Sequence, residues 1–309
     1  MSIDNLIIKR TNYIYKHIIK MPTSIKQEKI IVNIDNLQID SKYKPYIKEF
    51  INKTYNFNFR NINQILGTLS ITNMKPLVSL LKNRDGEYSI MENKIRVRKD
   101  KIDSIYHEFF HAFTSWREDQ INGCGFYQET LDYNIGYSLD EGYTDLLFNY
   151  IFDTEINYTV EANIANKVQL ILTKEKMRNM YTSNDLKGII EILSENSSYQ
   201  EAIAFIILMD KLDKYYYNYK KTIYLINILS NYLTDIYIND LITKYQSGRI
   251  TYTDIHNKLD IFKEEFVKYA FVNKKLEKDY LRSSEYLDIT SKLSNYQFQK
   301  ELSKKILTK

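Results

Sequence analysis

The sequence predicts an α+β protein, with a mixed α+β region over residues 1–150 and a predominantly helical region over residues 151–309. The glycines and prolines that interrupt helices are distributed unevenly between these regions. All three prolines lie before residue 77, and only two of the eight glycines lie after residue 142. Because Gly and Pro punctuate turns and strands, this distribution favours a small sheet in the first region and long helices in the second.

Short strands are expected at two places in the first region. Residues 29–34 read Lys-Ile-Ile-Val-Asn-Ile, a β-branched run that is typical of a strand. Residues 88–91 and 94–97 are two further candidates, and the Asp85-Gly86 turn signal precedes them. These two strands come directly before the segment that carries the candidate chemistry.

The second region has apolar and charged faces that alternate at the helical period. The clearest segments are Glu161–Met177, Asp185–Leu193, Glu201–Tyr216 and Thr253–Phe271. The longest apolar run, Ala202–Met209, has the length of a buried helix and is too short for a membrane span. We therefore expect a helical lobe that closes one side of a cleft.

Composition excludes several classes of function. The 309-residue chain is 44% hydrophobic, and its net charge of +4 comes from 43 basic and 39 acidic residues, too even a balance to indicate nucleic-acid binding. The single cysteine rules out an internal disulfide. Four basic residues interrupt the first 21 residues, which therefore lack the apolar core of a signal peptide. A cytoplasmic protein without an integral membrane segment is the default expectation, with non-classical export left open.

The stretch His-Glu-Phe-Phe-His at residues 107–111 specifies a chemistry. Asp103 or Ser104 can cap a helix that continues to Trp116 without a Gly or Pro. Residues four apart share one face of a helix, so a single Zn²⁺ can bond both imidazoles at about 2.0–2.1 Å. Glu108 follows the first histidine directly, where it can act as a base on the metal-bound water.

The helix that carries this stretch is amphipathic. His107, Glu108 and His111 fall on the side opposite to the apolar residues, so the candidate ligands face a cleft. The apolar stripe that anchors the helix consists of Ile102, Ile105, Phe109, Ala112, Phe113 and Trp116. A surface helix with two solvated histidines is the alternative interpretation.

A catalytic zinc needs a third protein ligand and an open position for water. The metzincin spacing is excluded, because Thr114 and Arg117 stand where that pattern requires Gly and His. A deformylase-like site takes a cysteine upstream of the helix, but Cys124 lies downstream. A ligand from further along the chain is therefore required.

The remaining candidate is the acidic start of a second helix. Ser138 and Glu141 have the spacing of a capping box, and Glu141 and Asp145 lie four apart on one face. Glu141 can bond the metal, and Asp145 can accept the other N–H of a ligand histidine and raise its basicity. The alternatives are a carboxylate that the helix dipole stabilises at residue 141 and a solvated residue at 145. Gly142 would let the two helices approach closely.

The two motifs together resemble the gluzincin, or thermolysin-like, branch of zinc metallopeptidases. The first is His-Glu-Phe-Phe-His, and the second is Asp-Glu-Gly-Tyr-Thr-Asp at residues 140–145. The match covers roughly residues 94–150. Residues 124–127 and 135–139 also resemble uncharacterised gluzincin-like proteins of AT-rich Gram-positive bacteria and mollicutes. Asp140 stands where thermolysin-like proteins have Asn.

The resemblance implies a zincin-like fold in which His107, His111 and Glu141 bind zinc and Asp145 supports a ligand histidine. The expected activity is that of a zinc metallopeptidase, with Glu108 as the base and a peptide or protein as substrate. In zincins an edge strand borders the cleft, and one of the two strands before the zinc helix is the candidate.

Two parts of the functional prediction stay open. The residue that stabilises the oxyanion is unassigned, and His256 is a weak candidate because it adjoins an apolar stripe. The alternatives to a general peptidase are a catalytically silent zincin-fold module that binds or regulates a partner, and an effector protease with one narrow target.

Overall fold

A computed structural model describes residues 11–18, 30–75, 85–215, 218–267, 278, 281 and 282 of the chain. The fold is α+β with a mostly helical C-terminal region, as the sequence predicts. One hydrophobic core runs without interruption from the N-terminal helix to the last described helix. None of the helices in the described residues is both long enough and apolar enough to span a membrane.

The elements follow one another with short connections. The strands are β1 (Ser70–Asn73), β2 (Gly86–Ser89), β3 (Lys94–Val97), β4 (Trp116–Glu118), β5 (Ile121–Cys124), β6 (Tyr127–Glu129) and β7 (Asn134–Ile135). The helices are α1 (residues 11–17), α2 (Lys44–Lys53), α3 (Ile62–Thr68), α4 (Ile105–Phe113), α5 (Tyr137–Phe152), α6 (Thr159–Leu172), α7 (Lys174–Thr182), α8 (Leu186–Ser194), α9 (Tyr199–Met209), α10 (Lys211–Tyr215), α11 (Tyr219–Gln246) and α12 (Tyr252–Val267).

The first sheet has the order β1-β3-β2, with β1 parallel and β2 antiparallel to β3. The predicted hairpin is confirmed, but its first strand begins at Gly86, two residues before the predicted start. The turn depends on Asn93, which has a φ of 44° and donates from Nδ2 to the Ile65 carbonyl at 2.9 Å. In the described residues β2 forms one edge of this sheet.

The strand predicted at residues 29–34 is wrong. Residue 29 lies outside the described residues, residues 30–33 are irregular, and Ile34–Asn36 is a single 3₁₀ turn. The Asn33 side chain accepts from the Asp35 N–H at 3.0 Å, so local hydrogen bonding competes with strand pairing. Ile31 is 82% exposed, which shows that a β-branched composition does not by itself bury a segment.

The helix that carries the zinc motif is shorter than predicted. Ser104 occupies the N-cap position, but its hydroxyl donates back to the Lys101 carbonyl at 2.8 Å and makes no cap. The helix ends at Phe113 because the chain turns at Thr114, whose hydroxyl donates to the Phe110 carbonyl at 2.7 Å. Trp116, which was predicted to lie in the helix, begins β4.

Strands β4 to β7 form a second, antiparallel sheet in the order β4-β5-β6-β7. It occupies the whole connection between α4 and α5, a segment for which the sequence predicts no strand. Its strands have two to four residues each, too few for a clear alternation of apolar and polar side chains. The chain folds back through this sheet, so that α5 packs beside α4.

The helical region follows the predicted pattern with two corrections. The segment predicted as one helix over Glu161–Met177 is broken at Thr173, which has φ 83° and ψ 151°. The segment predicted over Glu201–Tyr216 ends at Met209 and resumes as the short α10. The segment predicted over Thr253–Phe271 matches α12, and residues 268–271 lie outside the described residues.

An aromatic cluster holds α4 against the N-terminal helices. Phe50 of α2 lies 5.4, 4.8 and 5.2 Å, ring centroid to ring centroid, from Phe109, Phe110 and Phe113. All four rings are fully buried. Close aromatic pairs contribute about 0.5–1.5 kcal/mol each beyond their area burial. The side of α4 opposite to the histidines is therefore rigidly packed.

The core is shared by the two predicted regions. Helix α5 crosses residue 150 and ends at Phe152, and it packs most extensively against α6 of the second region. Gly142 of α5 makes this approach possible, because a Cβ there would lie 2.5 Å from the Glu161 carbonyl oxygen. The predicted role of Gly142 in close helix packing holds, but its neighbour is α6 and not α4.

The division into domains at residue 150 stays a prediction.

A fully buried lysine links α6 to α11. Lys167 Nζ donates to Asn163 Oδ1 at 2.7 Å and to Ser230 Oγ at 2.9 Å. Burial lowers the pKa of Lys167 well below its usual value of 10.5. The unfolded chain keeps this proton up to about pH 10.5, so between the two pKa values the unfolded state binds more protons and stability rises with pH.

We expect Lys167→Met to remove this contribution to the pH dependence of folding. As pH rises, the free energy of unfolding of the wild type should increase relative to that of the variant, by at most about 1.4 kcal/mol per pH unit. Urea unfolding between pH 7 and 9.5 measures the difference. Lys176→Met, at an exposed lysine of α7, is the control. A difference for Lys167→Met that stays constant with pH would contradict the expectation.

Candidate metal centre

Helices α4 and α5 bring the three predicted metal ligands together. His107 Nε2 lies 2.9 Å from His111 Nε2 and 3.1 Å from Glu141 Oε2, and His111 Nε2 lies 3.5 Å from the same oxygen. The two histidines are one turn apart on α4, and the glutamate is on the facing side of α5. The three residues are 6–8% exposed.

The spacing of these three atoms fits zinc. Ligands placed tetrahedrally at about 2.0–2.1 Å from Zn²⁺ have neighbouring ligand atoms about 3.3 Å apart. The distances of 2.9, 3.1 and 3.5 Å lie around that value. Three protein ligands would leave the fourth tetrahedral position free.

The hydrogen bonds on the far side of each ring indicate which histidine atoms face the metal position. His107 Nδ1 lies 2.9 Å from Asp145 Oδ1, and His111 Nδ1 lies 3.0 Å from Asp140 Oδ2. A carboxylate can only accept, so in a neutral ring each Nδ1 carries the proton and each Nε2 presents a lone pair. With Glu141 Oε2, three acceptor atoms then face one point, where a cation would relieve their mutual repulsion.

Charge in the site supports the same conclusion. Burial alone would lower the pKa of His107, but hydrogen bonds to Asp145 and Glu141 outweigh it and raise the pKa to about 10. Burial alone would raise the pKa of Glu141, but His111 and His107 bring it well below its usual range. The site therefore holds positive charge strongly, and a proton competes with a metal for it.

Asp145 is itself held by the start of α6. Its Oδ2 accepts from the backbone N–H of Asn157 at 2.8 Å and of Tyr158 at 2.6 Å. The Tyr158 ring stacks on His107 with centroids 6.0 Å apart. The carboxylate therefore has a fixed direction, and it orients the His107 ring. The sequence predicted Asp145 in this position but not the loop that holds it.

Asp140 is a site residue that the sequence prediction missed. Besides His111, it binds the turn between β5 and β6, because Oδ1 accepts from the Phe126 N–H at 2.8 Å. Its position directly before Glu141 was the available signal, but neighbouring helix residues point about 100° apart. Only the second sheet, which wraps the turn around the Asp140 carboxylate, determines what that side chain contacts.

Cys124 lies behind the centre and not in it. Its sulfur is 3.8 Å from His111 Nδ1 and 3.5 Å from Asp140 Oδ2, on the side of the ring away from the metal position. Burial raises the pKa of the thiol to about 12, so it stays protonated at neutral pH. His111, Cys124 and Asp140 lie close enough to hold an ion, but His111 Nδ1 already pairs with Asp140.

The predicted capping box at the start of α5 is wrong. Ser138 lies inside the helix, and its hydroxyl is buried without a hydrogen-bond partner in the part of the chain that the structure describes. The cap comes from Asp210 at the end of α9, which accepts from the N–H groups of Gly136 at 2.8 Å and Ser138 at 2.9 Å. The helical lobe thus supplies the carboxylate that the local sequence does not.

Glu108 points from α4 towards the edge strand β2. Its side chain is 6% exposed, and a Cβ built on Gly86 would lie 2.7 Å from Oε1 and 2.9 Å from Cγ of this glutamate. The predicted base thus lies against the backbone of the strand. A second contact fixes the same strand, because the Tyr88 and Ser115 hydroxyls are 2.9 Å apart.

His256 lies on α12, where its ring contacts Tyr252 with centroids 4.7 Å apart. Within residues 85–215 and 218–267, none of the hydrogen bonds or ring contacts of the centre involves this histidine. The structure therefore does not bring it together with the other predicted site residues.

Comparisons of the chain with protein-family models, with curated proteins and with solved structures find no match. The interpretation of the centre therefore depends on its own geometry and chemistry.

We expect Asp140→Asn to weaken metal binding about tenfold to hundredfold, because partners on the far side of a ligand histidine tune its basicity. The amide keeps the shape but has a single acceptor oxygen, so it can hold either the His111 or the Phe126 hydrogen bond, and the change removes the charge together with one of these bonds. Competition with a chromogenic chelator measures the affinity. Asp153→Asn, at the exposed end of α5, is the control. Wild-type affinity in Asp140→Asn would contradict the role assigned to the carboxylate.

Proposed function

We propose that the protein is a zinc-dependent metallopeptidase of the gluzincin type with a zincin-like fold. The observation that carries this proposal is the convergence of His107 Nε2, His111 Nε2 and Glu141 Oε2 on one point, beside a glutamate that is not among these ligands. A purely structural zinc site has no use for Glu108 or for an open fourth position.

Each side chain of the site has a separate role in the proposed reaction. When bound, Zn²⁺ acts as a Lewis acid on a water molecule and on the scissile carbonyl. Glu108 accepts a proton from the attacking water and passes it to the leaving amine. Asp145 and Asp140 keep the protons on the Nδ1 atoms of His107 and His111, so that both Nε2 atoms remain available as ligands.

The position of β2 supports a peptide as substrate. It is an edge strand of the described sheet, and its backbone at Gly86 lies directly against Glu108. An extended peptide can add to such an edge through main-chain hydrogen bonds, which would place its carbonyl groups near the base. The low exposure of the ligands, 6–8%, favours an extended chain over a folded substrate.

The same low exposure favours the narrow-specificity effector protease as the second candidate function. A restricted entrance admits few substrates, whereas a general peptidase needs an open cleft. Cleavage of a random peptide library, compared with cleavage of a whole proteome, separates the two. Broad cleavage of the library supports a general peptidase, and one or a few cleaved proteins support the narrow enzyme.

We expect Glu108→Gln to retain about one zinc per chain and to lower kcat by about 10²–10⁴. The amide keeps the size of the side chain but cannot take the proton. His107→Ala should instead lose the zinc, because it removes a ligand. Metal analysis and a peptide-cleavage assay on the same preparations measure both effects. Full peptidase activity in Glu108→Gln would exclude this residue as the base.

Gly86→Ala tests the contact between β2 and the base. The new methyl group should displace the Glu108 carboxylate, and a shift of about 1 Å can cost up to about 10² in rate. A glutamate side chain moves easily, so we expect kcat to fall while zinc content and melting temperature change little. Gly67→Ala is the matched control, since a Cβ there meets nothing within 4 Å.

A double variant completes this test. If Gly86→Ala acts through the base, it should lower the activity of Glu108→Gln no further. Equal proportional losses in both backgrounds would show that the strand acts by another route.

A further inference from the structure

A cavity of about 380 Å³ lies on the face of α5 that points away from the metal centre. Tyr143 and Tyr150 of α5 form part of its wall, and the rest comes from the end of α2 and the residues just after it, from Gln169 of α6 and from the start of α7. A helix turns by about 100° per residue, so both tyrosines lie nearly opposite to Glu141. The cavity is therefore separate from the three metal ligands.

Three cations surround this cavity, and each is held over an aromatic ring. Lys53 Nζ lies 4.7 Å from the centre of the Phe152 ring, and Lys174 Nζ lies 4.6 Å from that of Tyr150. The Arg178 guanidinium lies 5.2 Å from the centre of the Phe57 ring. Such contacts keep long side chains in place. Positive charge is thus concentrated around one small space.

Among the described residues, a carboxylate pairs with only one of these three cations. Glu175 is the acidic residue of the wall, yet within the described ranges neither Lys174 nor Arg178 forms an ion pair with a carboxylate. Lys53 pairs with Glu49 at 3.1 Å, outside the wall. Like charges that share a cavity repel one another, and an anion placed between them would relieve that repulsion.

Arg178 also has an unmet hydrogen-bond donor. Its Nε is buried and has no partner among the described residues. A buried donor without an acceptor is costly, and nearly all such groups in native proteins find a partner. The guanidinium forms a planar fork that matches a carboxylate or a phosphate. An acceptor that reached Arg178 from the cavity would supply this missing partner.

We propose that this cavity binds a small organic anion, with a phosphate or carboxylate group on Arg178 and Lys174 and an apolar or aromatic body against Phe57 and Tyr150. The volume is in the range of small-molecule sites, which combine apolar walls with a few polar groups. The site shares no ligand with the metal centre. Its occupation does not depend on the proposed peptidase activity.

Calorimetric titration of the zinc-loaded 309-residue chain tests the proposal. The probes are phenyl phosphate, benzoate and inorganic phosphate, which separate the anionic group from the apolar body. Phosphates and carboxylates can also bind a zinc ion, so the titrations are repeated with His107→Ala. We expect saturable binding of phenyl phosphate or benzoate in both proteins, tighter than that of inorganic phosphate.

Variants then locate the binding. Arg178→Gln and Lys174→Gln should each weaken the affinity about tenfold to hundredfold, as expected for loss of a charged hydrogen bond. Lys176→Gln removes the same charge from the same helix outside the cavity wall and should change little. Circular dichroism and thermal melting establish that each variant is folded.

Several outcomes would overturn the proposal. These are no saturable binding of any probe, loss of binding with the zinc in His107→Ala, or equal losses in Lys176→Gln and Arg178→Gln. Binding of inorganic phosphate as tight as that of phenyl phosphate would overturn the apolar part of the site. Loss of peptidase activity in other variants leaves this binding unaffected, so the two proposals fail separately.

Discussion

The contacts between two histidines of α4 and two aspartates of α5 are the interaction on which this structure depends. Asp145 and Asp140 bind the outer nitrogens of His107 and His111, and Glu141 lies between them on the same helix. Buried carboxylates are costly unless a cation or a donor compensates them. The two helices therefore hold a concentrated negative charge that a divalent ion would balance.

The rest of the fold keeps these two helices in place. An aromatic cluster around Phe50 packs α4 from one side. The helical lobe supports α5 through the Asp210 cap and through close packing of α6 at Gly142. Asn184, between α7 and α8, donates to the carbonyls of Thr114 and Gly125 and so joins the lobe to the end of α4 and to the second sheet. Packing energy far from the centre thus fixes the positions of the ligands.

The edge strand adds a constraint of a different kind. β2 is only four residues long, yet it contacts α4 through Gly86 at one end and Tyr88 in its middle. A side chain larger than hydrogen at residue 86 would occupy the space of the Glu108 carboxylate. The two opposite faces of α5 differ in their surroundings, because one carries the carboxylates of the metal centre and the other lines a cavity whose wall includes Lys53, Lys174 and Arg178.

Local patterns in the sequence were sufficient to select His107, His111, Glu141 and Asp145, but not Asp140. The spacing of His107 and His111 and of Glu141 and Asp145 depends only on the helical repeat, which is a property of the backbone and not of the surroundings. The α+β class, the hairpin before α4 and the long helices could be predicted from the distribution of Gly and Pro, because these residues also act through the local backbone. The predictions failed where weak local interactions competed. At residues 29–34, for example, local hydrogen bonding competes with the pairing of the predicted strand.

Tertiary structure alone decided the features that join distant segments. Asp210 caps a helix that begins more than seventy residues earlier, and the turn after Cys124 binds Asp140 only because a sheet of very short strands folds back. No periodicity in the chain marks such contacts, because each depends on how whole elements pack. The sequence by itself determined which side chains can form a metal centre, whereas packing decided how each one is held, charged and enclosed.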